Sequence, residues 1–426
     1  MNEESTILLR QVRIVDPVAK RDFIADVLIM NGRVCTIETQ ITNYTQDAKI
    51  IDGTDLILGT GLVDLYSHSG EPGNEARETL FSLAASAAAG GFVEVGILPD
   101  TIPRIDNYET LTALQQKVNR LSENCDRPLA RLNFWTTLTS DRSSKQMNEL
   151  VEIGDRNIGF TEQIAFTDLS LFKQTLEYLQ PLQKPIAIDV SQNQLTNSGF
   201  IREGTDSIRY GLVGNPAYSE ASAIAAIIEI IANFKIPVHI MRVSTARGVE
   251  LIADAKKRGV SITASTTWMH LLLSTKDLLD YNPNLRLEPP LGTSKDLQAL
   301  RQGIKTGVID AIAIDHQAYT YEEKTVPFGL APPGAIGLQL ALPLLWQNLV
   351  MTNILSAIEL WQALSLKPLL CLQKPLLKIN SSISDLILFD TKKNWRINKQ
   401  NMHSLSANTI WWNREIEGKT IFWHSL

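Results

Sequence analysis

The chain has 426 residues, 44% of them apolar and 20% charged, which is enough to bury a large core and exceeds one ordinary domain unless that domain is a barrel with an accessory module. A formal net charge of −6, with Lys and Arg spread along the chain rather than gathered in a stripe, excludes nucleic acid as a partner. Cys35, Cys125 and Cys371 are odd in number and lack Cys-x-x-Cys spacing, which excludes a disulfide framework and a thiolate zinc site and points to the reducing cytoplasm.

The polar, acidic start Met1-Asn2-Glu3-Glu4-Ser5 is the wrong opening for a signal or transit peptide. β-rich runs follow at residues 8–15, 25–30 and 33–38, punctuated by Asp16-Pro17 and Asn31-Gly32, and predict a small antiparallel sheet. From about Gly59 to Leu370 strand-like and helical patterns alternate. Strands are predicted at 91–98, 130–137, 157–161, 185–190, 237–243, 261–264 and 311–314, and helices at 77–89, 170–182, 220–234 and 246–258. The apolar stretches 221–234 and 341–351 are interrupted by Glu229 and by Pro343, Gln347 and Asn348, so they read as buried helices and not as membrane spans. Strand patterns return at 385–389, 408–412 and 419–423. The expected architecture is therefore α/β: a (β/α)8 barrel over 59–370, its chemistry at the carboxyl ends of the strands, with a composite β domain from 1–58 and 371–426.

Within the first barrel strand, Asp64-Leu65-Tyr66-Ser67-His68 is one substitution from a zinc motif. An Asp-x-His-x-His run closing an apolar strand aims two imidazoles at one metal from the same side of the strand. Here the first imidazole is a phenol.

The run from Gly61 to Gly73, with Asp64-Leu65-Tyr66-Ser67-His68 and Glu71-Pro72-Gly73, resembles the first strand and loop of dihydroorotases, of the amidohydrolase superfamily. The resemblance continues through Ala89-Gly90-Gly91-Phe92, Leu98-Pro99-Asp100-Thr101, His239-Ile240-Met241-Arg242-Val243-Ser244-Thr245, Pro289-Pro290-Leu291, Asp315-His316 and Ala331-Pro332-Pro333-Gly334. It implies the (β/α)8 fold and a place in pyrimidine biosynthesis. It also implies two zinc ions that activate a hydroxide for attack on a ring amide. By the same resemblance the metal positions fall at Tyr66, His68, Glu162 or Gln163, Asp189, Arg242 and Asp315, with Asp315 also the proton carrier.

Several of these positions depart from the family. A guanidinium is permanently cationic and has no lone pair for a metal, so Arg242 is the decisive departure. On the substrate side, the family's carboxylate-binding arginine is Gly70, its asparagines are Asp100 and Glu288, a second arginine is Gly292, and a histidine is Tyr319. An anionic substrate would meet fewer cations and more anions.

His239, His270 and His316 are read as structural, His403 and His424 as surface or packing residues, and Trp135, Trp346 and Trp361 as core, with Trp268 the one tryptophan to watch. Without a metal, Asp64, Asp189 and Asp315 would crowd negative charge at the barrel mouth, and Arg242 is expected to pair with Asp189, Asp315 or both. The expectation is thus a dismantled metal centre with no cofactor. The chain would then be a non-catalytic pseudoenzyme and, as the resemblance to inactive dihydroorotase-like chains implies, a structural partner of aspartate carbamoyltransferase. Self-association stays open. One alternative is an active cyclic amidohydrolase with a single divalent ion, Mn2+ or Mg2+, near His68, Asp189 and Asp315. Another is a metal-free binder of a cationic or neutral small molecule.

Overall fold

Strand-forming runs at the two ends of the chain meet in one sheet. The computed structural model describes residues 6–125, 128–139, 147–154, 156–162, 169–191, 193–380 and 382–423. Thr6–Asp16, Arg21–Met30, Arg33–Glu38, Lys49–Asp52 and Leu56–Thr60 come from the amino end, and Leu386–Arg396 and Glu415–Ile421 from the carboxyl end. The junction is antiparallel, Leu388 lying opposite Leu58, and Leu9, Ile14, Val27, Leu58 and Leu388 bury their side chains together beneath it. The sheet is mixed rather than antiparallel. Residues 39–48 carry the chain back so that Lys49–Asp52 and Leu56–Thr60 both run parallel to Thr6–Asp16.

One predicted strand is absent. Residues 408–412 form a turn, because Asn408 spends its amide on loop backbone: Nδ2 donates to the carbonyls of Gln317 and Gly334, and Oδ1 accepts from Tyr319 N. Trp411 is buried against Trp268, ring centroids 5.1 Å apart.

Between the ends lies a (β/α)8 barrel of strands Leu62–Ser67, Phe92–Ile97, Arg131–Thr137, Gly159–Glu162, Ile186–Asp189, Val238–Met241, Ile262–Thr267 and Ala311–Ala313. Each is parallel to the next in chain order. The strands are short and mostly buried on both faces, as in a parallel sheet covered by helices, with Thr and Ser side chains among the apolar ones. Leu65, Trp135, Ala187, Met241, Ala311 and Ala313 pack in one cluster of side chains buried among them.

Helix starts follow from capping chemistry. Thr79 and Ser82 form a reciprocal cap for Leu80–Ala89, Thr245 caps Ala246–Lys257, and Thr293 with Asp296 caps Ser294–Thr306. Ala217–Ile231 turns Ile224, Ile227, Ile228 and Ile231 inward at helical spacing. Among the described residues no helix is long and apolar enough to cross a membrane.

The seam between the last and first strands is closed mainly beyond the regular ladder. Asp315 N donates to Tyr66 O at 3.1 Å and His68 N to His316 O at 2.8 Å. The Asp64 carboxylate accepts from Ile314 N at 2.8 Å and from Ser67 Oγ at 2.5 Å. Asp64 is therefore a clasp on the barrel seam rather than part of a charged mouth. Its complete burial, more than the nearby Asp315 charge, pushes its pKa up to about 7.

Candidate functional site

His68, Asp100, Asp189, Arg242 and Asp315 all lie at or just beyond the carboxyl ends of barrel strands, where parallel strands deliver side chains to one face. Arg242 and Asp315 each adopt a left-handed backbone, with φ of +52° in both. For residues other than glycine that conformation costs on the order of 1–3 kcal/mol and concentrates at functional sites. Two such residues bonded to each other mark this as a locally strained, over-determined region.

The guanidinium of Arg242 occupies its centre. Nε donates to Asp315 Oδ2 at 2.8 Å and Nη2 to Asp315 Oδ1 at 2.6 Å, a bidentate pair, while Nη1 donates to Asp189 Oδ2 at 2.6 Å. The expected pairing of Arg242 is thus made with both carboxylates. Burial works against the charge of Arg242, but Asp315 and Asp189 more than offset it and hold the group firmly cationic. Asp315 is only partly exposed, and although desolvation would raise its pKa, Arg242 and His68 hold it well below the usual carboxylate range.

His68 sits against the same cluster. Its Nδ1 is 2.5 Å from Asp100 Oδ2, and its Nε2 lies 3.3 Å from Asp315 Oδ1 and 3.2 Å from Arg242 Nη2. Burial alone would lower the imidazole pKa, but Asp100 and Asp315 outweigh it and push it up to about 9. As an imidazolium it donates from both nitrogens to carboxylates and offers no lone pair.

Tyr66 is fully buried, and its hydroxyl is shared between Ser265 Oγ at 2.9 Å and Arg242 N, which donates to it at 3.0 Å. Ser265 in turn meets His239 Nε2 at 2.8 Å. Burial pushes the Tyr66 phenol far up and the His239 imidazole down to about 3, so both are neutral. Glu162 is fully buried and accepts from Thr139 Oγ1 at 2.8 Å. Gln163 lies outside the described residues.

These contacts decide whether the binuclear zinc set implied by the resemblance fits. A metal needs lone pairs, and the centre of the set is filled by a cation whose NH groups face Asp189, Asp315 and His68 within 3.3 Å. Among the described residues no three His, Cys, Asp or Glu side chains converge on a point that would hold a metal ion. The donor set does not fit the metal.

Beside Arg242 lies a cavity of about 220 Å3, lined by His68, Asp100, Asp189, Asp315, Glu288, Gln317, Trp268 and His270 among others. His270 binds Thr267 Oγ1 and Pro290 O, and burial drives its pKa down to about 4, so its role is structural. Trp268 forms part of the wall, backed by Trp411. Glu288 is half-exposed and faces Arg286 Nη1 at 3.5 Å. Burial, with the Asp189 charge as a further cause against the pull of Arg286, raises its pKa.

The other altered substrate positions do not line this cavity. A Cβ at Gly70 would lie 2.5 Å from Glu78 O and 2.6 Å from Asn74 O, so backbone fills the space a side chain needs. At Gly292 a Cβ would meet Asp296 Cβ at 2.6 Å and Ser244 O at 2.9 Å. The ring of Tyr319 is buried under the cations of Arg77 and Lys324, at 4.8 and 5.2 Å from its centroid.

Three features escape sequence pattern. Asp100, an altered substrate position by the resemblance, lines the cavity and also meets His68 Nδ1 at 2.5 Å. Glu78, fully buried, accepts from Ser404 Oγ and Leu405 N and meets His316 Nε2 at 3.2 Å, tying the carboxyl-terminal segment to the barrel. Glu220, also buried, accepts from the backbone and hydroxyl groups of Ser244 and Thr245, and Arg202 Nη2 donates to Ser244 Oγ at 2.7 Å. Only a buried acid inside an apolar helix, as at Glu220, carries a signal in sequence, and it names no partner.

A family model described as dihydro-orotase-like matches residues 55–246. A probable dihydroorotase-like protein of Synechocystis is 40% identical over 97% of this chain and 98% of its own length. A dihydroorotase of Elusimicrobium minutum is 32% identical over 96% of this chain and 94% of its own. Among solved structures, an L-hydantoinase (dihydropyrimidinase) from Arthrobacter aurescens superimposes with a TM-score of 0.80 at 20% identity, covering 98% of this chain and 94% of that one. At that identity the likeness speaks for the fold alone.

Proposed function

Because the chain belongs to the dihydroorotase-like family, we propose that it is a non-catalytic member of it, acting in the cytoplasm as a structural partner of aspartate carbamoyltransferase in pyrimidine synthesis. The observation that carries the non-catalytic half is the Arg242 guanidinium, held within 2.8 Å of Asp189 and Asp315 at the centre of the donor set. Hydrolysis of a ring amide near neutral pH needs a water made acidic and a carbonyl made electrophilic. A guanidinium whose donors are spent on two carboxylates supplies neither.

Substrate recognition supports the same reading. Dihydroorotate and carbamoyl-aspartate are anions, and the two cations lining the cavity, Arg242 and protonated His68, are both engaged by carboxylates. Asp100, Asp189, Glu288 and Asp315 would repel such a substrate. What persists is the frame: the barrel, the terminal sheet and the loops of the old active-site face. A protein partner can use that frame without any chemistry.

The partner half rests on the resemblance, and a mixing experiment tests it. On gel filtration with aspartate carbamoyltransferase from the same organism, the two chains should elute together, earlier than either alone. Separate elution at micromolar concentrations of both would remove the proposed partnership.

A further inference from the structure

We infer that the cavity between the terminal sheet and the amino ends of the barrel strands is a binding site for a small carboxylate with an apolar body. It lies at the end of the barrel away from Arg242, and the inference stands apart from any reading of the barrel mouth.

Strands Phe92–Ile97 and Arg131–Thr137 begin beside the place where Leu386–Arg396 and Glu415–Ile421 join the terminal sheet. The space left there is about 470 Å3, more than twice the 220 Å3 at the barrel mouth. Two small residues help to keep it open. Ala88, near the end of the helix Leu80–Ala89, and Gly91, just past it, both line the cavity, and Gly91 has a left-handed backbone with φ of +89° that side chains rarely adopt. A Cβ at Gly91 would stand 3.1 Å from Ile387 Cδ1 and 3.2 Å from Thr420 Oγ1.

The walls are mainly apolar, with Phe92, Ile387, Ile421 and Trp423 among them. Trp423 Nε1 donates to Leu386 O at 2.9 Å, so the indole offers the cavity ring carbon rather than an N–H. Cavities of about 300–1,000 Å3 with apolar walls and a few polar groups, set between domains, are where small ligands are commonly held. Among the described residues the charged groups lining this one are two arginines. Arg131 spends Nη2 on Glu94 Oε1 at 3.1 Å and on Asp385 Oδ1 at 3.2 Å. Arg33, the first residue of Arg33–Glu38, is exposed, and no carboxylate of the described residues pairs with it. An arginine without an internal countercharge beside apolar walls selects a ligand with one anionic end and an apolar remainder. A compact phosphate would leave the apolar walls unfilled, and a cationic ligand would meet Arg33 and Arg131 with like charge.

The test titrates full-length protein with decanoate, and separately with the neutral decanol, by calorimetry below the micelle concentration. Wild type should bind about one decanoate per chain, and decanol more weakly. Ala88→Phe, which puts a ring into the cavity from a half-buried position, should abolish binding of both. Arg33→Glu, at an exposed position, should weaken decanoate by at least about fivefold and change decanol by less than about twofold. Thermal unfolding without ligand establishes that each variant is folded, and if Ala88→Phe is not, Arg33→Glu decides. No decanoate binding by the wild type, binding that survives in folded Ala88→Phe, or an equal effect of Arg33→Glu on decanoate and decanol overturns the inference.

Discussion

His68 shows how a single residue changes character with its neighbours. Asp100 and Asp315 hold it as an imidazolium with a pKa of about 9, against an ordinary value of 6.5. Between those values the folded chain binds a proton that the unfolded chain releases, so this contribution is complete below about pH 6.5 and is lost as pH rises through about 9. The shift corresponds to on the order of 3 kcal/mol. Urea unfolding of wild type should lose about that much from pH 6 to pH 10 relative to His68→Gln. Parallel pH profiles for the two proteins would show that folding leaves the His68 pKa unshifted. The residue scale was partly legible in sequence. Alignment to the Asp-x-His-x-His run exposed Tyr66, and the fixed charge of Arg242 forced a search for carboxylate partners, which the structure supplies in Asp189 and Asp315. The contact of Asp100 with His68 is not legible, because the sequence gives no distance between residues 68 and 100.

At the scale of elements, periodicity located the barrel strands and four of the helices around them, since each buries an apolar face whose spacing survives in the sequence, while Tyr108–Glu123 and Ser294–Thr306 are helices the sequence reading does not name. It failed at residues 408–412. There alternation looked like a strand, but Asn408 binds three loop groups and Trp411 fills the space behind Trp268. Tertiary contacts of that kind leave no periodic trace. The barrel seam was also illegible, because it depends on Asp64 reaching a backbone amide 250 positions away, at Ile314. Asp64→Ala should cost about 2–4 kcal/mol, since it leaves that buried N–H without its acceptor. Asp64→Asn keeps an oxygen for Ile314 N and a donor for Ser67 Oγ, and should cost less than about 1 kcal/mol. Denaturant midpoints of the two variants decide the matter, and equal losses would mean that the seam is held by packing rather than by the carboxylate.

For the molecule as a whole, sheet strands from both ends close on each other across a barrel that lies between them in sequence. Glu78 fastens the carboxyl-terminal segment to that barrel through Ser404 and Leu405. At the barrel mouth Arg242 supplies the positive charge that faces Asp189 and Asp315. On the reading proposed above, this charge belongs to the chain and stands in for a reactive metal. The most direct measurement is metal content together with dihydroorotate turnover, made on wild-type protein purified from cells grown with added zinc and manganese. No stoichiometric transition metal and no turnover above the uncatalysed rate are expected. One or two tightly held ions per chain with metal-dependent turnover would contradict that reading.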